Sequence, residues 1–282
     1  GVKEHALVLL GSATPSMESM YQARSGAYTL YQLHNRFNGQ VLPQVELVDM
    51  KQELKAGNGG TLSLPLQDAL EQNLLKGQQS ILFVNRRGHS RFFVCVDCGH
   101  VPQCPRCSVN LTYHAANHRL MCHYCGHSEA VQDRCPECGG PMKRVGFGTQ
   151  KVEQELAERF PGVQVLRMDA DTITVSNNHE TILTKFQEEK IPILLGTQMV
   201  TKGLNFETVT LVGVLDADMS LYVDNFRAAE TTFSMLTQVV GRAGRGQLGG
   251  RAIIQTMTPE AAVLQLAGAQ DYDRFYDMEI GL

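Results

Sequence analysis

The sequence predicts an α/β protein: a mostly parallel sheet covered by helices on both faces, with a small double-zinc module inserted into it. Three observations carry this. Short, continuous, β-branched runs alternate with amphipathic stretches. All eight cysteines fall between Cys95 and Cys138. Excising Arg91–Gly146 leaves the run Ser80–Asn85 leading into the helical stretch Lys151–Phe160 and then into Val163, an intact strand–helix–strand unit.

The predicted strands are Ala6–Leu10, Ser80–Asn85, Val163–Met168, Ile191–Leu195, Val209–Leu215 and Ala252–Gln255. Most are apolar throughout rather than alternating, as parallel strands buried on both faces must be. The predicted helices are Leu64–Lys76, Lys151–Phe160, Glu180–Glu189, Arg227–Val240 and Pro259–Ala267. In Lys151–Phe160, Val152, Leu156 and Phe160 share one face, with Thr149 as the expected N-cap. Asn35–Pro43 and Asn58-Gly59-Gly60 read as connections.

Composition excludes several classes. With 43% hydrophobic and 19% charged residues the chain can bury a real core and is not globally disordered. No apolar run approaches the roughly 20 residues of a membrane helix, and Gly1-Val2-Lys3 opens no signal peptide. Lacking an initial Met, the chain reads as a piece of a longer protein. Lys and Arg number 25 against 29 Asp and Glu, so bulk charge makes no case for nucleic-acid binding.

The cysteines form four CxxC pairs: Cys95/Cys98, Cys104/Cys107, Cys122/Cys125 and Cys135/Cys138. Each pair aims two thiolates at one point, and two pairs complete a tetrahedral zinc site, so eight thiolates make two sites. Gly99, Gly126 and Gly139 each follow the second cysteine of a pair, where a small residue lets backbone amides turn toward sulfur. Disulfides would need an oxidising compartment, and a redox CxxC does not come four at a time. Sequential and nested pairings satisfy the count equally. His100, His114, His118, His123 and His127 read as surface residues, since the cysteines already fill both sites.

Three further segments suggest nucleotide or nucleic-acid chemistry. Gln238–Gly246 (QVVGRAGRG) places Arg242 and Arg245 where a helix ends, and arginine clamps transferring phosphoryl groups. Gly196–Phe206 (GTQMVTKGLNF) follows a strand and offers hydroxyls and backbone amides to phosphates. Gly11–Ser16 (GSATPS) makes a helix start with Pro15 in its first turn. Asp216 and Asp218 read as polar residues ending a strand rather than as a metal pair. No GxxxxGK[ST] phosphate loop occurs in the chain.

In order, Ser12-Ala13-Thr14, then Asn85-Arg86-Arg87-Gly88 after a strand, then GTQM…KG, then QVVGRAGR resemble motifs III to VI of superfamily 2 helicases. Four CxxC pairs inside the second lobe narrow the resemblance to the replication-restart DNA helicases, the primosomal protein N′ family, over essentially all 282 residues.

The resemblance implies a RecA-like lobe from a bacterial, cytoplasmic, nucleoid-associated, ATP-dependent 3′-to-5′ DNA helicase that recognises abandoned forks and promotes primosome assembly. It implies residues 1–35 as the tail of lobe one, 36–90 as the connection and start of lobe two, 91–146 as the zinc insertion, and 147–282 as the rest of lobe two. It implies nested zinc pairing, with Cys95, Cys98, Cys135 and Cys138 around one ion and Cys104, Cys107, Cys122 and Cys125 around the other. Arg242 and Arg245 would reach ATP bound with Mg2+ by lobe one, positioned by Gln238. Thr197, Gln198 and Gly203 would line the nucleotide cleft and DNA track. Ser12 and Thr14 would couple hydrolysis to lobe closure, and Arg86 and Arg87 would lie near the DNA backbone. Many relatives in the wider superfamily carry Asp where Asn205 stands, so Asn205 is assigned no role. The implied partners are forked and single-stranded DNA, helicase-loading and other primosome proteins, and single-stranded DNA-binding protein, with no membrane. Without a phosphate loop, the chain alone is expected to be inert as an ATPase. The competing expectation is a non-enzymatic zinc scaffold that docks protein or nucleic acid.

Overall fold

The computed structural model of the chain describes residues 6–33, 42–85, 92–169, 172, 178–197, 206–223, 225–244 and 248–281. The elements are α1 (Met17–Arg24), β1 (Gln44–Asp49), α2 (Met50–Lys55), α3 (Leu64–Leu75), β2 (Gln79–Val84), β3 (Phe92–Cys95), β4 (Thr112–His114), β5 (Arg119–Met121), β6 (Ser128–Ala130), β7 (Met142–Val145), α4 (Thr149–Arg159), β8 (Val165–Met168), α5 (His179–Glu188), β9 (Ile193–Gly196), β10 (Val209–Leu215), α6 (Ala228–Val240), β11 (Arg251–Thr256), α7 (Ala262–Ala269) and α8 (Tyr272–Glu279).

Among the described residues, six strands form one sheet in the order β1-β11-β10-β2-β9-β8, and every pairing in it is parallel. The pleat of β2 sends Ile81 and Phe83 to one face and Leu82 and Val84 to the other. Ile81 and Phe83 pack with Phe186 of α5, Phe233 and Leu236 of α6, Leu264 of α7 and Phe275 of α8. Leu82 and Val84 pack with Leu66 and Leu70 of α3 and Val152 and Leu156 of α4. Burial on both sides is why the strand sequences are apolar without alternation.

The run Ala6–Leu10 is not a strand. Leu7 and Leu9 are 95% and 85% exposed. β1 and β8 occupy the edges of the sheet, and neither pairs with this run, so its apolar side chains face solvent. Two cap expectations also change. Gly148 is the N-cap of α4, because the Thr149 hydroxyl donates instead to Asp169 Oδ2 at 2.5 Å. Ser16 caps α1, accepting from Ser19 N at 3.2 Å, so Pro15 precedes the helix rather than lying in its first turn.

From β2 the chain passes into the cysteine-rich segment and returns at α4. β3 and β7 pair antiparallel at its base, and β4, β5 and β6 form a small antiparallel sheet beyond them.

Candidate functional site

The four CxxC turns share one local construction. In each, the residue after the second cysteine has positive φ: Gly99 at 78°, Ser108 at 57°, Gly126 at 71° and Gly139 at 74°. Its N–H donates to the carbonyl of the first cysteine, at 3.0 Å for Gly99, 2.8 Å for Ser108, 3.1 Å for Gly126 and 2.9 Å for Gly139. The first cysteine's N–H in turn donates to a carbonyl five residues on, at His100, Val109, His127 and Gly140. This loop folds the two thiols to one side.

The β3–β7 pairing brings Cys95 and Cys98 beside Cys135 and Cys138. Cys104, Cys107, Cys122 and Cys125 gather in a second group, and within each group all sulfurs lie within 4.8 Å of one another. Cys95 and Cys138 are 3.4 Å apart, Cys98 and Cys135 3.7 Å, and Cys104 and Cys125 3.6 Å. Tetrahedral thiolates about 2.3 Å from zinc are about 3.8 Å from each other, whereas a disulfide spans about 2.05 Å. The sulfurs therefore fit a zinc cage and no disulfide. Backbone amides already point at two of them, Cys98 N to Cys95 Sγ at 3.5 Å and Gly140 N to Cys138 Sγ at 3.4 Å.

Thiol crowding also calls for a cation. The backbone N–H of Cys125 helps to hold Cys122 down to about 7, while the hydrogen bond to the Cys125 sulfur pushes Cys107 up to about 12. The two four-cysteine sites thus support two zinc ions. The histidines stand outside both groups: His118 meets the Tyr113 hydroxyl at 2.8 Å, His114 meets His123 at 2.8 Å, and His127 meets Glu129 at 3.2 Å.

A second set of contacts joins this module to the carboxyl edge of the large sheet. Phe92 and Val94 of β3 pack with Met219, Tyr222 and Met257. Asn110 Nδ2 donates to the Tyr222 carbonyl at 3.2 Å, and Lys55 pairs with Asp97 at 3.1 Å. Asp218, in the short 3-10 turn Ala217–Ser220, is buried. It accepts from the Thr256 and Thr258 hydroxyls at 2.5 Å each and from Met257 N at 2.8 Å. Those donors make it a structural cap on the end of β11, in line with the reading of Asp216 and Asp218 as strand-ending residues.

The motif residues assemble on α6. The Thr14 and Ser234 hydroxyls are 2.8 Å apart, and Gln238 Nε2 donates to the same Ser234 hydroxyl at 3.0 Å. Ser12 accepts from Thr14 N at 3.1 Å, bending the Ser12-Ala13-Thr14 segment toward α6. Arg242 begins the turn after the helix, with its N–H on the Val239 carbonyl at 3.0 Å. Ser234 is the link that sequence reasoning missed; its spacing of four residues from Gln238, one helical turn, was the available signal. Thr197 is not brought to this cluster. It follows the carboxyl end of β9, with its N–H on Met168 O at 3.3 Å. Gly244 N instead meets Val209 O at the amino end of β10, 3.0 Å away. Arg86, Arg87, Gln198, Gly203 and Arg245 lie outside the described residues.

Comparison with known proteins gives two family matches. Residues 104–129 match the PriA DNA helicase Cys-rich region domain, and residues 143–247 match the helicase conserved C-terminal domain. The chain is 51% identical to the replication restart protein PriA of Bacillus subtilis over 97% of its own length and 34% of that protein's. It is 44% identical to PriA of Synechocystis over 98% of this chain and 34% of that one. The chain therefore spans about a third of these relatives. A solved structure of S. cerevisiae Dbp5 bound to RNA and ADP BeF3 aligns with a TM-score of 0.46 and 14% identity, over 96% of this chain and 53% of that one.

Proposed function

Because the chain belongs to the replication restart PriA family, we propose that it is the part of an ATP-dependent 3′-to-5′ DNA helicase that joins the two motor lobes and carries the zinc module. Residues 1–35 end the first lobe, residues 36–90 and 147–282 build the second, and residues 91–146 are the zinc insertion. The parent protein recognises abandoned forks in the bacterial cytoplasm and nucleoid, and promotes primosome assembly. Its partners are forked and single-stranded DNA, primosome and helicase-loading proteins, and single-stranded DNA-binding protein. Among the described residues no helix is long and apolar enough to cross a membrane.

The observation that carries this reading is the contact of Thr14 with Ser234 and of Ser234 with Gln238. It joins the segment expected to sense the first lobe to the helix whose end leads into Arg242. In the parent, ATP with Mg2+ supplies the phosphoryl group on which the two arginines act. Arg242 and Arg245 neutralise charge as that group transfers, Gln238 orients them, and Ser12 and Thr14 transmit the change to the first lobe. Thr197, Gln198 and Gly203 line the nucleotide cleft and DNA track, and Arg86 and Arg87 lie near the DNA backbone.

The test is steady-state ATP hydrolysis with forked DNA. In the longer protein, Arg245→Ala lowers kcat by about 10³ to 10⁵ and leaves two zinc ions per chain. The 282-residue chain alone hydrolyses no ATP. Hydrolysis by the chain alone, or an unchanged kcat in Arg245→Ala, would overturn the proposal.

A further inference from the structure

The segment that follows Ser12-Ala13-Thr14 is more than a helix start. Along its length it docks on α6 and α8. The Pro15 carbonyl accepts from the Tyr272 hydroxyl at 2.8 Å. Met17 N donates to Glu230 Oε1 at 3.1 Å. Glu18 takes both terminal nitrogens of Arg227. At the far end, Arg24 forks onto Asp277 at 2.5 Å and Asp273 at 2.7 Å, with its guanidinium 4.3 Å from the Tyr276 ring centre. Met20 is buried between these polar ends.

The charges fix how the helix lies. Its amino end carries Glu18 to the cation Arg227, and its carboxyl end carries Arg24 to the carboxylates of α8. A reversed helix would set Glu18 against Asp273 and Asp277, and Arg24 against Arg227. The complementarity therefore selects one orientation and one register, and that register places the Thr14 hydroxyl against Ser234. The flanking Leu7, Leu9, Tyr31 and Leu33 are exposed, so the contact belongs to α1 and its immediate lead-in. The acidic partners Asp273 and Asp277 are 59% and 64% exposed, and salt screens such pairs. That suits a contact made and broken in turn rather than one that belongs to a permanent core.

We propose that α1 is a releasable clasp, and that Glu18, Arg24, Arg227, Asp273 and Asp277 are positioning residues that hold the Thr14 hydroxyl in register on α6. The docking stands on the geometry alone; its effect on hydrolysis rests on the helicase reading above.

The experiment has two arms. The first is hydrogen exchange of the 17–24 amides in the 282-residue chain, in wild type, Arg24→Glu, and a charge exchange combining Arg24→Glu with Asp273→Arg and Asp277→Arg. Arg24→Glu speeds exchange of these amides about tenfold, 1 M salt does the same to wild type, and the charge exchange restores protection. These positions lie on the surface, so the β10 amides stay protected in every variant and report intact folding. The second arm is DNA-stimulated ATP hydrolysis by the longer protein. Arg24→Glu lowers kcat about tenfold with KM for ATP within about twofold, and the charge exchange recovers kcat. Equal exchange rates in wild type and Arg24→Glu, or no recovery in the charge exchange, would overturn the clasp. Undocking without change in kcat would overturn the positioning role alone. Absence of any DNA-stimulated hydrolysis in the unaltered longer protein would overturn the helicase reading and, with it, the positioning role, but not the docking.

Discussion

Half of the residues buried in the two cores of the cysteine module are cysteines, four of eight, and the two cores of the large sheet contain none. Among the described residues the sheet gathers 24 buried residues on one face and 14 on the other, enough apolar surface to order the chain by burial alone. Besides their thiols the module's two cores bury Leu111, Tyr113, Leu120 and Met142, with Phe93, Val109 and Val131 partly buried against them. A core that small does not offset the entropy of ordering its loops. The same polypeptide thus uses two sources of stability, and the junction of Phe92, Val94, Met219, Tyr222 and Met257 is where one gives way to the other.

The sharpest way to break this comparison is to remove the metal. A structural zinc site contributes about 10–16 kcal/mol of apparent binding energy, as much as or more than the roughly 5–15 kcal/mol stability of a whole domain. A strong chelator therefore unfolds the module and leaves the sheet standing. Hydrogen exchange checks this directly: amides of β5 lose protection while those of β2 and β10 keep it. Collapse of β10 together with β5 would show that the sheet leans on the module.

The two regions also differed in how far their sequences disclosed them. Val209–Leu215 was legible to the residue because a continuous apolar run bounded by polar residues has one cheap solution in a parallel sheet. Ala6–Leu10 has the same texture and was misread as a strand, because apolarity does not say which neighbour covers it. β1 escaped notice because an edge strand with Glu46 and Asp49 lacks that texture. In the module, CxxC spacing disclosed the ligands but not which pairs close together; the antiparallel β3–β7 ladder decides that. At the end of α6, the local pattern singles out the segment that holds Gln238 and Arg242. It does not single out Ser234, Glu18 and Arg24, because their partners lie more than two hundred residues away in sequence. Thr149 misled for a related reason: its hydroxyl serves Asp169, a tertiary partner, instead of its own helix.

A smaller effect tests the junction itself. Asp216 follows β10 with φ at 51° and accepts from Phe147 N at 3.3 Å, where the module's return strand meets α4. Burial pushes its carboxyl up to about 7, and the charge of Asp218 adds to the shift. Below about pH 4 Asp216 is protonated in both folded and unfolded chains. Between about 4 and 7 the unfolded chain releases a proton that the folded one keeps, so stability falls as pH rises through this window and levels off above it. Asp216→Asn keeps an acceptor for Phe147 N and removes the cost. Since Asp216 retains some solvent contact, the gain at pH 8 is about 1–2 kcal/mol, with none at pH 4. Urea unfolding of both proteins at the two pH values measures it; parallel pH profiles would refute the assignment.

The smallest effect compares the module with itself. Three of its four knuckles place glycine at the positive-φ position, and the fourth places Ser108 there at 57°. A Cβ in that conformation costs energy that glycine does not pay, so Ser108→Gly stabilises its knuckle by about 0.5–1 kcal/mol. The reciprocal change, Gly126→Ser, lies in the same four-cysteine group, and a Cβ at Gly126 meets no atom within 4 Å. Its cost is therefore conformational and of similar size. Because both residues belong to the Cys104–Cys125 site, zinc release from that site slows in Ser108→Gly and quickens in Gly126→Ser, while the Cys95–Cys138 site keeps its rate. Competition with a chromogenic chelator resolves the two release phases. If both phases moved together, the two sites would be one cooperative unit, and the module would resemble the sheet more closely than its sparse core suggests.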